Sequence, residues 1–194
     1  MSTEIWVFST HVGDQSMEKI YAGIGPRNTD PRILDVMFQL AGELEEMGWK
    51  LRSGHGRGAD QAFEAGVKLG ANKEIWLPNK NFNGAYIEFP HYHVSSLSPV
   101  IKRIAAEHHG GYYKCSPYIQ RLFDRNVNIL LGAEALKHQE SAFVVYWQPE
   151  ENKIDNYGGT NHSLRIARTY GIPTFNIELG HERQALGEFV NGRT

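Results

Sequence analysis

The sequence predicts an α/β protein in which a Rossmann-like, doubly wound and mostly parallel sheet is flanked by helices. Short apolar runs alternate along the chain with amphipathic patterns of helical spacing, and glycine-rich turns follow several of these runs. Strands that alternate with helices form right-handed βαβ units, which place neighbouring strands parallel. A length of 194 residues suits one domain, so we assign residues 1–194 to a single domain with its core at 19–177.

The first βα unit begins at Lys19 with a β-type run that ends in glycines. A helix follows, because Thr29 or Asp30 is a suitable N-cap and Pro31 is favoured in the first helical turn. Gly48 is placed to end this helix in a left-handed conformation. The apolar residues that recur at three- and four-residue steps, and so mark the buried face, are Ile33, Leu34, Met37, Leu40, Ala41, Leu44 and Met47.

The next elements are shorter, and a long connection separates them from the second half of the chain. Residues 49–52 and 74–77 are predicted strands, and residues 59–69 are a predicted helix between them. Residues 78–98 are rich in Asn, Pro, His and aromatic residues without clear periodicity, which is typical of a functional loop. We interpret 78–98 as an insertion or lid.

In the second half of the chain, residues 142–147 (AFVVYW) form the most strand-like run, which is continuously apolar as expected of a central parallel strand. The carboxyl ends of parallel strands form one edge of a sheet, where ligands bind near the switch in strand order. The other predicted elements are helices at 99–107 and 116–131, a glycine turn and helix at 158–171, a strand at 172–177 and a helix at 182–190.

Composition excludes several classes of partner. The net charge of −2, from 20 Lys and Arg against 22 Asp and Glu, gives no broad attraction for duplex nucleic acid or an anionic membrane. Cys115 is the only cysteine, which excludes an intramolecular disulfide and favours a reducing compartment. The stretch MSTEIWVFSTHVGDQS lacks a signal-peptide pattern, and no apolar run is long enough to span a membrane. We therefore expect a cytoplasmic protein without a membrane partner.

The first glycine-rich turn, residues 23–28, directly follows the first predicted strand. Its glycines, Gly25 among them, let the backbone approach a ligand closely. Arg27 offers a planar fork of donors to a phosphate or carboxylate. The alternative is a tight strand-to-helix turn with a solvated arginine.

The second turn, residues 53–60, places three glycines immediately before a helix. Backbone N–H groups at a helix N-terminus, together with the helix dipole, form a natural site for phosphate. The turn has neither the Gly-Lys-Ser/Thr of a Walker loop nor the spacing of the dinucleotide fingerprint, and we predict no cofactor. Asp60 either caps this helix or contacts a ribose or an arginine.

The third turn, residues 157–162, again precedes an amphipathic helix. Thr160 is suited both to capping that helix and to bonding a phosphate oxygen. Three such turns at one edge of a parallel sheet predict a phosphate-bearing ligand. The ligand-binding residues that the turns supply are Gly25, Arg27, Ser53, Gly54, Gly56, Arg57, Gly58, Asp60, Gly158, Gly159, Thr160 and His162.

The segments GIGPRNT, LRSGHGRGADQAFEAG and GGTNHSLRIARTYGIPTFNI resemble, in order and spacing, the signature regions of the SLOG superfamily. The likeness is greatest to the DprA-like group of phages and bacteria. The segment KCSPYIQRLFDRNVNILLG also resembles the middle region of that group. It extends over about residues 19–177. The resemblance implies a Rossmann-like nucleotide-binding domain, in the host cytoplasm if phage-encoded. It also adds Arg125 and Asn126 to the predicted ligand-binding residues.

We expect this protein to bind a nucleotide or a nucleotide-derived small molecule. Likeness to the LOG phosphoribohydrolases of the same superfamily implies a second hypothesis, a nucleotide N-glycosidase. Ser163 aligns with their catalytic glutamate, so Asp60, Glu64 or His55 would have to serve. Likeness to DprA implies a third hypothesis, binding of single-stranded DNA. SLOG relatives commonly pair through helices that flank the sheet, so we also expect a homo-oligomer, either a dimer or a larger assembly.

Other residues with ligand chemistry are weaker candidates. His91, His93, His108, His109 and Cys115 are competent to bind a metal, but their spacing is not that of a zinc site, and we predict none. Aromatic residues near strand ends stack on bases in some proteins and pack in the core in more of them. The residues considered for such stacking are Trp76, Phe82, Tyr86 and Tyr157.

Overall fold

The structure is a computed structural model that describes residues 19–136, 138–149 and 158–192. The N-terminal stretch and Tyr157 lie outside these ranges. The strands are β1 (Ile20–Ile24), β2 (Lys50–Ser53), β3 (Lys73–Leu77), β4 (Tyr92–Val94), β5 (Val144–Tyr146) and β6 (Thr174–Asn176). The helices are α1 (Pro31–Glu46), α2 (Ala59–Gly66), α3 (Pro99–Glu107), α4 (Pro117–Leu131), α5 (Gly159–Thr169) and α6 (Gly180–Asn191).

The described strands form one six-stranded sheet in the order β4-β3-β2-β1-β5-β6, and every neighbouring pair is parallel. This confirms the predicted Rossmann-like α/β fold in a single domain. The chain adds β2, β3 and β4 on one side of β1 and then returns to add β5 on the other side, where Gly23 pairs with Val145. The topological switch therefore lies between β1 and β5, which is where open α/β sheets bind ligands.

The predicted helix starts are confirmed. The Asp30 carboxylate accepts a hydrogen bond from Arg32 N at 2.8 Å and caps α1, with Pro31 in the first turn. Ser116 caps α4 by accepting from Ile119 N, and Pro117 follows it. These caps satisfy N–H groups that have no partner inside the helix.

The core has two layers because strand side chains alternate between the faces of the sheet. Tyr21 and Val145 face α1, α2 and α6, together with Met37 and Phe63. Ala22 and Val144 face the opposite layer, which α3, α4 and α5 cover. The predicted interior position of β5 is confirmed, because it lies between β1 and β6 and Val144 and Val145 are fully buried.

The main difference from the sequence analysis is the edge strand β4, which lies inside the 78–98 connection. Tyr92–Val94 pairs with β3, with Trp76 opposite His93. Three half-buried residues are too few to show a strand pattern in the sequence, so only the pairing reveals it. In addition, α2 ends at Gly66 rather than at the predicted residue 69.

None of the helices in the described ranges is both long enough and apolar enough to cross a membrane.

Candidate functional site

A cavity of about 620 Å³ opens at the carboxyl ends of β1 and β5, at the switch in strand order. This volume is typical of small-ligand sites. All three glycine-rich turns reach it. The predicted ligand-binding residues that line the cavity are Gly25, Arg27, Gly56, Arg57, Asp60, Arg125, Asn126, Gly158, Gly159 and Thr160.

A buried ion pair forms part of the cavity wall. The Arg125 guanidinium donates to the Asp60 carboxylate at 3.2 Å and to the carbonyl oxygen of Gly54 at 2.6 Å. The same Asp60 oxygen accepts from Gly56 N at 3.0 Å, and Gly25 N also donates to this carboxylate. Asp60 therefore joins two glycine-rich turns to α4. It does not cap α2, whose N-cap is Gly58.

Burial has the largest effect on the pKa values of both residues of this pair. It raises the pKa of Asp60, while Arg125 and the two N–H donors oppose the change. Burial lowers the pKa of Arg125, and Asp60 opposes that change. Each charge thus offsets part of the other's desolvation.

Two glycines of the second turn are required by packing. A Cβ on Gly54 would lie 1.4 Å from Arg125 Nη1. Gly58 has a φ of 80°, and a Cβ there would lie 2.4 Å from the carbonyl oxygen of Arg27. Neither Gly54 nor Gly58 lines the cavity. Each allows a close contact that holds the turn in place.

The third turn is different, because a Cβ on either of its glycines would not overlap a described residue. A Cβ on Gly159 would meet Asn126 Nδ2 at 3.8 Å, and one on Gly158 would meet no atom within 4 Å among the described residues. Gly158 is the N-cap of α5, and no side chain of the described residues caps this helix. The first helical hydrogen bond of α5 runs from His162 N to Gly158 O, so the N–H groups of residues 159–161 have no acceptor inside the helix. Residues 159–161 all line the cavity. Thr160 lies in this turn and is not its cap.

The charges on the described cavity wall favour an anion. Arg27 and Arg57 are exposed at the mouth, and Arg125 lies deeper. Asp60 is the single acidic residue among the described lining residues, so three positive charges face one negative charge. The α5 N-terminus adds the positive end of its helix dipole.

A second group of lining residues is apolar. Ile119, Leu122 and Phe123 project from α4, and Phe82 reaches the cavity from the 78–98 connection. Phe82 is only 5% exposed, and the Arg125 guanidinium lies 5.8 Å from the centre of its ring. Such a surface suits a flat apolar group such as a base.

Two of the three catalytic candidates, His55 and Glu64, lie outside the cavity. His55 Nδ1 is 2.6 Å from Glu64 Oε2, and Tyr92 donates from its hydroxyl to Glu64 Oε1 at 2.6 Å. We call these three residues the His55 cluster. Burial would raise the pKa of Glu64, but the hydrogen bonds from His55 and Tyr92 hold it below its ordinary value. The cluster attaches β4 to the second turn and does not line the cavity.

His162 and Ser53 lie beneath the cavity. His162 Nε2 is 3.0 Å from the carbonyl oxygen of Ala105, which only accepts, so Nε2 carries the proton and Nδ1 faces Asn126 at 3.4 Å. Burial lowers the pKa of His162 to about 3, which keeps the ring neutral near pH 7. Ser53 donates to the carbonyl oxygen of Gly23 at 2.7 Å.

The metal-binding candidates, and the described base-stacking candidates other than Phe82, do not line the cavity. Within the described ranges, no group of three or more His, Cys, Asp or Glu side chains is arranged to hold a metal ion. Trp76 is buried and donates to Glu74 at 2.8 Å, whereas Tyr86 is 70% exposed. Among the described base-stacking candidates, Phe82 is the one that lines the cavity.

The sequence analysis missed several lining residues. Asn161 is 3% exposed, and the apolar residues of α4 carry no motif. The helical periodicity of α4 could have identified an apolar face, but it could not show that part of this face lines a cavity. No protein-family model, curated protein or solved structure matches this chain.

Proposed function

We propose that this chain binds a nucleotide or nucleotide-derived small molecule in the cavity. One observation carries the proposal: a single cavity at the strand switch is lined both by arginines and the N-terminus of α5 and by a group of apolar side chains. We also propose that the chain is a DprA-like member of the SLOG superfamily, on the motifs given above.

The phosphate would lie against the third turn. Gly158 and Gly159 leave room for its oxygens at the N-terminus of α5, and Thr160 is beside them. Arg27 and Arg57 at the mouth would neutralise its charge. Arg125 already has Asp60 as its partner, so it would act mainly by shaping this wall.

The base would lie on the apolar side, against Phe82 and Phe123. These rings offer stacking and apolar contact. A ligand with a phosphate at one end and a flat ring at the other would use both walls. Inorganic phosphate alone would use only one of them.

Isothermal titration calorimetry with AMP, ADP, cyclic AMP and ADP-ribose tests this proposal. We expect at least one to bind, and Arg27→Ala to weaken its binding about tenfold, as for loss of one charge-assisted contact. Arg103→Ala is the matched control, because Arg103 is an exposed arginine on α3 outside the cavity. Absence of binding for every probe, or equal binding by the two variants, would refute the proposal.

Cleavage of the N-glycosidic bond is a second candidate function, favoured by one observation: the Asp60 carboxylate lines the cavity. Its hydrogen bonds to Gly56, Gly25 and Arg125 restrict it, so we rank binding first. Incubation with nucleoside monophosphates followed by chromatography should show a free base if the bond is cleaved. A recovery of intact nucleotides in every case would eliminate this candidate.

Single-stranded DNA remains a third proposal, and Arg27 and Arg57 at the cavity mouth are its main support. A gel shift with a labelled oligonucleotide at low and physiological salt tests it, since phosphate contacts weaken steeply with salt. No retardation at low salt would exclude it.

We further propose a cytoplasmic homodimer in which residues 78–98 contact the neighbouring protomer. Arg125 and Phe82 both line the cavity of their own chain, so the contact between protomers would use the exposed Tyr86 and Phe89 of this segment. Light scattering over a concentration series, with and without ADP-ribose, tests this assembly. A monomeric mass in both series would contradict it.

A further inference from the structure

The amide of Asn126 is held in one orientation by its neighbours on α5. Asn126 lies on α4, lines the cavity and is 4% exposed. Its Nδ2 donates to the carbonyl oxygen of Gly159 at 3.2 Å and lies 3.4 Å from His162 Nδ1. Because His162 donates its Nε2 proton to the carbonyl oxygen of Ala105, Nδ1 of the ring is an acceptor. Both hydrogens of Asn126 Nδ2 are therefore used within the protein.

The reversed orientation of this amide is unfavourable. It would place Asn126 Oδ1 against the carbonyl oxygen of Gly159 and the unprotonated Nδ1 of His162, which are both acceptors. Each of the two acceptors would then lose a donor, and Oδ1 would face their lone pairs. The contacts thus assign Nδ2 to the side of the amide that faces α5 and Oδ1 to the other side.

The oxygen of the same amide remains available to a ligand. No described residue donates a hydrogen bond to Asn126 Oδ1, and this atom is not among the fully buried side-chain atoms that lack a partner. It therefore has accessible surface, unlike Oδ1 of Asn161, which is fully buried. Because Asn126 lines the cavity, a molecule in the cavity can contact this oxygen.

An acceptor at this position complements the donors of the cavity wall. Arg27, Arg57 and the N–H groups of 159–161 are donors, which suit a phosphate. A phosphate oxygen is itself an acceptor and gains no hydrogen bond from Asn126 Oδ1. The ligand group that this oxygen can bind is an O–H or N–H donor, which a nucleotide carries on its sugar or its base.

We propose that Asn126 Oδ1 accepts a hydrogen bond from an O–H or N–H group of the bound nucleotide, and so selects nucleotides with a donor at this position over those without one. This inference rests on the proposed function. The resemblance to DprA-like proteins implies only that Asn126 contacts a ligand. The hydrogen bonds to Gly159 and His162 determine which atom it presents and which ligand chemistry that atom recognises.

Calorimetry with paired ligands tests the assignment. The parent probe is AMP, ADP, cyclic AMP or ADP-ribose, whichever binds wild type most tightly. Its analogues lack, one at a time, a ribose hydroxyl or the amino group of the base. We expect at least one analogue to bind wild type about tenfold more weakly than the parent, because Oδ1 then has no donor. Asn126→Ala should bind that analogue and the parent equally.

Gln120→Ala is the matched control, because it removes an amide from the same helix. Gln120 donates to the carbonyl oxygen of Cys115 at 3.0 Å and does not line the cavity, so this variant should discriminate as wild type does. Asn126→Ala should remain folded, because the carbonyl oxygen of Gly159 keeps a hydrogen bond from the Ser163 hydroxyl at 3.3 Å. Circular dichroism checks the fold of both variants.

The orientation of the amide has a test of its own, in wild type and without a ligand. Long-range nitrogen–proton NMR spectra distinguish the two neutral tautomers of a histidine ring, and His162→Gln identifies the signals of His162. We expect the proton on Nε2. A proton on Nδ1 would turn the oxygen of Asn126 towards His162 and overturn the assignment.

The outcomes of the calorimetry are distinct. Weaker binding of a deoxy analogue would identify a sugar hydroxyl as the donor, and weaker binding of the deaminated analogue would identify the base, so each supports the assignment if Asn126→Ala abolishes it. Equal binding of all analogues to wild type, or discrimination that persists in Asn126→Ala, would overturn the assignment but not the proposed function. Loss of all binding in a folded Asn126→Ala protein would also overturn it, because one hydrogen bond accounts for only about tenfold. If no parent probe binds wild type, the proposed function itself fails.

Discussion

The guanidinium of Arg125 lies 3.2 Å from the carboxylate of Asp60, and this contact joins the middle of α4 to the turn that follows β2. Both side chains are buried and both line the cavity. A buried pair of this kind stabilises a fold only weakly as a whole, but it is costly to break, because the remaining charge has no partner. The pair therefore fixes the geometry of the cavity more than it adds stability.

Removing both partners of this pair should cost less stability than the two single losses added together. We expect Arg125→Ala and Asp60→Ala each to lower the free energy of unfolding by about 3–5 kcal/mol, with a smaller loss in the double variant than the sum of the two. Urea denaturation of the four proteins completes the cycle. Additive losses would show that the two charges do not interact in the folded protein.

Alanine should have opposite effects at two glycines of the predicted ligand-binding set. Gly54→Ala should destabilise the protein strongly, because its Cβ would overlap Arg125. Gly159→Ala should leave stability unchanged or raise it by about 0.5–1 kcal/mol, since the Cβ makes only an ordinary van der Waals contact, 3.8 Å from Asn126 Nδ2, and alanine favours the helix. Thermal unfolding measures both effects.

The same Gly159 variant should bind nucleotide less well than wild type, because its methyl group would occupy the place of a phosphate oxygen. Calorimetry with the tightest-binding probe provides the measurement. Unchanged affinity in a stable Gly159→Ala protein would place the phosphate elsewhere.

Acid should destabilise the protein through His162. Its folded pKa is lowered by burial to about 3, whereas the unfolded value is near 6.5. Between these values the unfolded chain binds a proton that the folded protein excludes, so stability falls as the pH decreases from 6.5 towards 3. The slope from this one residue is up to about 1.4 kcal/mol per pH unit.

The contribution of His162 is measured as the difference between wild type and His162→Gln in urea denaturation from pH 7 to pH 4. The variant should lose less stability over this range than wild type. Parallel curves would mean that His162 titrates normally in the folded protein.

The His55 cluster should hold β4 against the rest of the sheet. Tyr92→Phe removes the hydroxyl that donates to Glu64 and should cost about 1 kcal/mol of unfolding free energy. Hydrogen exchange should become faster in residues 82–94 than elsewhere. Tyr86→Phe is the control, because Tyr86 is largely exposed, and it should change neither measurement.

Local patterns were sufficient to predict most of the fold. The cap at Asp30, the Ser116 and Pro117 pair and the apolar run at 142–147 are signals between near neighbours in the chain, and the structure has an element at each. The edge strand β4 was not predictable in this way. Three residues of a strand have no periodicity of their own, and their assignment depends on pairing with β3.

Apart from β4, the sequence by itself determined the order of strands and helices. It also determined the glycine-rich turns after β1, β2 and β5, because backbone preferences and helix caps act over a few residues. Only the tertiary structure decided what each side chain in those turns contacts. It paired Asp60 with Arg125 across 65 positions of the chain, moved His55 and Glu64 away from the cavity, and left Asn161 Oδ1 buried without a donor among the described residues. Burial and ion pairing depend on which distant segments meet, and that information is not contained in any local pattern.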